Sequence, residues 1–197
     1  MGAGQFSNRD RPNRAQNAGS YEGKILRFNL VEDGDADPYQ KWIPNSNLYS
    51  STSAVWSIGI RNNQGFAYDT TTGKLYGSSH GPYSDDEINI IEGNKNYGHP
   101  YVIGYAADDN YNGSTAGAAL TDNSGNSSCP PIVDESNNAA ALVNYKDPLF
   151  SAYDAPRTTV NNIWQTNPGN GNWPSEGWSG MDIYKQDRKS TRLNSSH

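Results

Sequence analysis

Short runs of alternating apolar and polar residues recur along the middle of this chain, separated by turn-forming residues. Residues 23–31 (GKILRFNLV) alternate well enough for a strand, and the acidic stretch 32–37 reads as a turn. Residues 54–60 predict a second strand. Residues 65–68 and 74–78 predict a hairpin closed by Asp69-Thr-Thr-Thr-Gly73, with Gly73 free to take the positive φ of the turn. Residues 87–92 predict another strand ending in a Gly93-Asn94 turn, and residues 101–105 one more. Residues 107–138 are polar and rich in Gly, Asn and Ser, a length typical of a functional loop or an insertion. A short helix is expected over 138–145, and a further strand begins at 181–185. No helical pattern is long enough for a βαβ unit. The fold class is therefore all-β, and the pattern leaves sandwich, barrel and propeller open.

Composition sharpens this picture only slightly. The 197 residues suffice for one domain with a core, and only 34% are hydrophobic. The 13 Tyr and 5 Trp add apolar area that this share underrates, and they argue against disorder in the middle of the chain. The net charge of -6 disfavours nucleic acid as a partner. Cys129 stands alone, so no internal disulfide is possible and the redox compartment stays open. No apolar run is long enough for a membrane helix, and no signal peptide is visible. Residues 185–197 (KQDRKSTRLNSSH) differ from the rest: they carry four basic residues against one acidic one and show no periodicity. The string resembles a translated sequencing-adapter read-through. Residues 186–197 are accordingly expected to be a non-native tail, and residues 1–185 the domain; a flexible basic tail is the alternative.

Two polar clusters carry candidate chemistry. Arg61-Asn62-Asn63-Gln64 follows an apolar strand. Arg61 offers a planar fork of donors for a carboxylate or quinone oxygen, and Asn62 and Gln64 add neutral donors and acceptors. The alternative is an arginine that ties down the following loop. His80-Gly81-Pro82 leads into Asp85-Asp86-Glu87, then Asn96-Tyr97-Gly98. Carboxylates beside backbone carbonyls suit Ca²⁺, a hard cation that takes several oxygens. An acidic turn in water fits equally. Residues 108–113 (DDNYNG) match the first half of an EF-hand loop, but position twelve would be Ala119 and no flanking helices are evident. An EF-hand is excluded, leaving a looser calcium site or a polar turn. Asn112 and Asn126 fit the glycosylation acceptor pattern.

Several motifs in order point to one family. GIRNNQGFAYD, SSHGPYSDDEINII and NKNYGHPYVIGY follow GKILRFNL within about eighty residues, and WPSEGWSGMDIY lies beyond them. Together they resemble the PQQ-dependent glucose/sorbosone dehydrogenases. That resemblance implies a six-bladed β-propeller, of which this chain would form an incomplete part of roughly three blades. It places Arg61 and Asn62 at PQQ, with Arg61 near the reactive quinone carbonyl, Gln64 supporting the cofactor site from behind them, and His80 flanking the cofactor. It assigns the backbone carbonyls of Gly81 and Pro82 to a PQQ-bound Ca²⁺, and Asp86, Glu87 and Tyr97 to a second, structural calcium. The implied reaction oxidises an aldose at its anomeric carbon to a lactone. Hydride passes to the quinone, and electrons leave to an external acceptor. A periplasmic or extracellular site is implied, and a homodimer is left open. A non-catalytic, calcium-braced propeller that binds carbohydrate or protein is the alternative.

The chain departs from the family pattern at four positions: Ile60 for His, Asn63 for Pro, Ser79 for Glu and His99 for Trp. The family's general-base His and its later Lys and Arg clamps on the PQQ carboxylates have no counterpart here. The chain is thus expected to be an internal fragment, inactive alone.

Overall fold

The structure, a computed structural model, describes residues 14–81, 85–112, 132 and 134–152. Within them lie β1 (Lys24–Leu26), β2 (Val55–Ile58), β3 (Asn63–Asp69), β4 (Lys74–Ser79), β5 (Asp86–Ile91), α1 (Glu135–Ala141) and β6 (Phe150–Ala152). Strands β3 to β6 form one antiparallel sheet in chain order, and β1 pairs antiparallel with β2 in a second. The described part is therefore mostly β-sheet, and a four-stranded antiparallel meander is the unit that propellers repeat.

The β3–β4 hairpin forms where the pattern predicts it. Gly73 takes φ +69° and its N–H closes the turn on the Asp69 carbonyl at 2.8 Å. Asp69 also accepts from Thr71 N at 2.9 Å, the local bond that favours Asp at a turn. Strand β5 ends in the expected turn, where Asn94 rather than Gly93 takes the left-handed conformation (φ 59°).

The two sheets are joined by apolar packing. Ile25 of β1, Ile60, Ile91 of β5 and Tyr97 form a buried cluster against which Trp56 and Leu75 pack. Each such side chain contributes about 1.5–3 kcal/mol by leaving water. The Arg27 guanidinium lies 4.6 Å from the Trp56 ring centroid and covers its outer face.

Four elements differ from the sequence pattern. β1 stops at Leu26, after a register shift. Beyond it Asn29 N bonds Trp42 O and Asp33 N bonds Lys41 O, so the chain folds back on its own loop and leaves Leu30 and Val31 exposed. Residues 101–105 are not a strand. Tyr101 N and Val102 N both bond Gly98 O, and Gly104 takes φ 72°. Their apolar character reflects a buried turn, with Val102 and Ile103 at 2% and 3% exposure. α1 begins earlier than predicted because Asp134 caps it, accepting from Asn137 N at 2.8 Å. It stops at Ala141, ahead of the left-handed Asn144. β6 is too short to show a period, and its partner β5 defines it.

The expected strand at 181–185, the Trp173 motif, Pro82, Cys129, Asn126 and the 186–197 tail lie outside the described residues. Among the described residues no helix is long and apolar enough to cross a membrane.

Candidate active site

Sheet register gathers the two polar clusters at one end. Asn63 pairs with Ser79, Ser79 with Glu87, and Asp86 with Ala152. Arg61-Asn62 enters β3, His80-Gly81 leaves β4, and Asp86-Glu87 opens β5, so antiparallel pairing must bring all three together. His80 N bonds Asn62 O at 2.9 Å, and Asn62 N donates to Ser79 Oγ at 3.3 Å. Arg61 Nη1 donates to His80 O at 2.8 Å, which sets the guanidinium against the loop after β4. The register shifts between Asn63 and Gly65, leaving Gln64 as the extra residue of a bulge. Bulges re-aim side chains beside functional sites, and Gln64 and Asn62 are both exposed here.

The carboxylates are held by specific bonds. Asp86 Oδ1 lies 2.7 Å from His80 Nδ1 and accepts Gly81 N at 2.7 Å. A buried carboxylate at Nδ1 fixes the orientation of the imidazole and the ring nitrogen that carries its proton. Glu87 accepts from Gly104 N at 3.1 Å and Asn89 Nδ2 at 2.9 Å. Burial still pushes its pKa up to about 7, against those bonds and the Arg61 charge. Asp85 adopts φ 60°, is fully buried and accepts Ser151 Oγ at 2.9 Å.

A facing wall comes from the turn after Tyr97. Arg61, Ser79, His80, Gly81 and Glu87 line one side of a small cleft, and His99, Val102 and Ile103 the other. The space it encloses, about 10 Å³, fits a single water-sized oxygen. His99 is clamped through its main chain: its N–H bonds Gly59 O at 3.0 Å, and its carbonyl accepts Gln16 Nε2 at 2.6 Å. Burial, with the Arg61 and Lys24 charges, pushes the His99 pKa down to about 3. Its imidazole is therefore neutral at physiological pH.

Glu135 of α1 anchors this wall. Its carboxylate is fully buried and accepts Ile103 N at 2.8 Å and Tyr111 N at 2.9 Å. Burial pushes its pKa up to about 8 from an ordinary 4.5. A raised carboxylate pKa means the folded state binds the extra proton. The associated stability is present below pH 4.5 and is lost as pH rises through about 8. In full-length protein, the stability of wild type relative to Glu135→Gln should fall across that window, read from urea midpoints at successive pH values. A difference that does not vary with pH would exclude Glu135 as the titrating group.

The structure thus brings Arg61, His80, Gly81, Asp86 and Glu87 together, with Asn62 and Gln64 at the same sheet end. Tyr97 is elsewhere: its hydroxyl donates to Ile90 O at 2.6 Å and accepts Glu92 N at 2.9 Å, with its ring in the core. Asp86, Glu87 and Tyr97 therefore engage separate partners. Among the described residues no group of three or more His, Cys, Asp or Glu is arranged to hold a metal ion. A calcium site on the Gly81 and Pro82 carbonyls would use backbone oxygens instead. The 108–112 stretch is a polar turn that caps α1, with Asp109 Oδ1 accepting Ser136 N and Asn112 Oδ1 accepting Glu135 N. His99 stood out in the motif only as a departure from the family pattern and Glu135 not at all, because their roles depend on contacts with segments distant in the chain.

A fixed guanidinium, exposed amides and an oriented imidazole at one sheet end suit a planar anionic ligand. The family model for glucose/sorbosone dehydrogenase matches residues 1–158. The chain belongs to that family. A quinoprotein glucose dehydrogenase B from Acinetobacter calcoaceticus is 45% identical over 94 residues, which cover 47% of this chain and 18% of that protein. An aldose sugar dehydrogenase of Escherichia coli is 38% identical over 97 residues, covering 47% of this chain and 24% of that one. The crystal structure of the soluble E. coli aldose sugar dehydrogenase in its apo form aligns at TM-score 0.47 and 26% identity. That alignment covers 73% of this chain and 34% of the other. The matched stretch spans about a fifth of the length of these curated relatives.

Proposed function

We propose that the full-length protein is a PQQ- and calcium-dependent dehydrogenase that oxidises an aldose at its anomeric carbon to a lactone and passes the electrons to an external acceptor. The observation that carries this reading is the convergence of Arg61, His80 and Asp86 at one sheet end, in a chain of this family. The donor set fits the cofactor. PQQ is a planar polycarboxylate; Arg61 and Asn62 would hold it, with Gln64 behind them and His80 flanking it. The Gly81 and Pro82 carbonyls would be the ligands for its calcium. When bound, PQQ supplies the hydride acceptor and Ca²⁺ the Lewis acid beside it.

The chain's own residues do the rest. Arg61, held by the His80 carbonyl, keeps a positive charge where negative charge develops during hydride transfer. Asp86 holds the His80 imidazole and the Gly81 amide in one geometry, so these two groups are positioned before a ligand arrives. Val102 and Ile103 form the apolar side of the cleft and limit water there. The six-bladed propeller and a periplasmic or extracellular location belong to the same proposal.

Reconstitution tests it. Full-length apoprotein given PQQ and Ca²⁺ should reduce a redox dye with an aldose as donor, and omission of either should abolish the reaction. Dye reduction that needs NAD instead, or none with any aldose tried, would overturn the reading.

A further inference from the structure

We propose that His99 is a specificity-determining residue, whose Nδ1 hydrogen-bonds one hydroxyl of the sugar entering the Arg61 cleft; this rests on the dehydrogenase reading above. His99 Nδ1 is buried and has no hydrogen-bond partner among the described residues. A buried polar atom left unpaired is unfavourable, and a ligand oxygen that reaches it removes the penalty. The cleft that His99 lines has room for one oxygen, about 10 Å³, and shares its lining with Arg61 and Glu87. A hydroxyl both donates and accepts, so it pairs with either tautomer of the imidazole while meeting a donor on Arg61. The main chain that carries the ring is held on both sides, by Gly59 O and by Gln16 Nε2.

An ordered water would satisfy the same nitrogen, and it makes a different prediction. The test uses the full-length protein with PQQ and Ca²⁺, glucose and the monodeoxyglucoses that keep the anomeric hydroxyl and the pyranose ring. In wild type, one deoxy sugar should lose about tenfold in kcat/KM relative to glucose, the size expected for one hydrogen bond at a cleft. In His99→Phe that ratio should collapse toward one, while the ratios for the other deoxy sugars stay as they were. In His99→Asn, whose amide sets a polar atom near the Nδ1 position, part of the discrimination should return. Identical ratios in wild type and His99→Phe, or an equal loss for every sugar, would overturn the proposal and leave a water or a purely structural ring.

A second readout needs no turnover. The imidazole ¹⁵N resonance of His99, assigned by its loss in His99→Asn, should shift when glucose is added to PQQ-free protein, while an equal concentration of the deoxy sugar identified above leaves it in place. No shift with glucose would overturn the hydroxyl contact. If wild type reduces dye with no sugar, the dehydrogenase reading fails, and the resonance still decides whether His99 meets a sugar hydroxyl.

Discussion

Replacing Arg61 by Ala in the full-length, PQQ-loaded protein should lower kcat for aldose oxidation by about 10²–10³, the loss typical of removing one preorganised charge-stabilising donor. The guanidinium sits at the entry to β3 and is fixed by the His80 carbonyl at 2.8 Å, so its position is set before any ligand arrives. Lysine should not rescue it, because a single ammonium lacks the planar fork that can bond His80 O and a ligand oxygen together. The variant should stay folded, since Arg61 is only partly buried and lies outside the apolar cluster. Steady-state dye reduction, with the melting temperature as a control, separates the two effects. Undiminished kcat in Arg61→Ala would remove this residue from the reaction and reduce it to a tie for the loop after β4.

The largest effect on stability should come from Gly59→Ala. Gly59 takes φ +75°, where an L side chain is strained. A Cβ there would also meet the Asn96 side-chain oxygen, Gly98 N at 2.8 Å and Tyr97 N at 2.9 Å. Two of those atoms are backbone, so relief requires moving the 96–98 turn itself. Strain and overpacking together should cost about 3 kcal/mol, read from denaturant midpoints of the full-length protein. The damage should also reach the site, because Gly59 O holds His99 N, and Arg61 follows two residues later. A loss below about 0.5 kcal/mol, the range of ordinary surface changes, would show that the turn yields freely.

Local pattern was enough for the elements whose signals are local. The β3–β4 hairpin was legible because a turn of Asp, Thr and Gly between two β-prone runs has few other conformations. β5 was legible for the same reason, bounded by its turn. The polar clusters were legible as chemistry because their residue types stand together in sequence, and their order marked the family.

Other features depended on partners. Residues 23–31 alternate well enough for one strand, yet only Lys24–Leu26 finds a strand to pair with, and Leu30 and Val31 remain in water. Residues 101–105 are apolar because they are buried, which a strand and a packed turn both require. Tyr97 stands beside the acidic cluster in sequence, but its hydroxyl is taken by the backbone of β5 and the residue after it.

By itself the sequence determined the mostly β character, the hairpin, the family and the two polar clusters, because each rests on residues close together in the chain. Only the tertiary structure decided that sheet register draws Arg61, His80 and Asp86 to one end. It alone placed His99 across the cleft, its Nδ1 unpaired among the described residues, and Glu135 behind that wall. Those arrangements depend on strand pairing and on hydrogen bonds between distant segments. Their energies belong to pairs of residues that no single window of sequence contains.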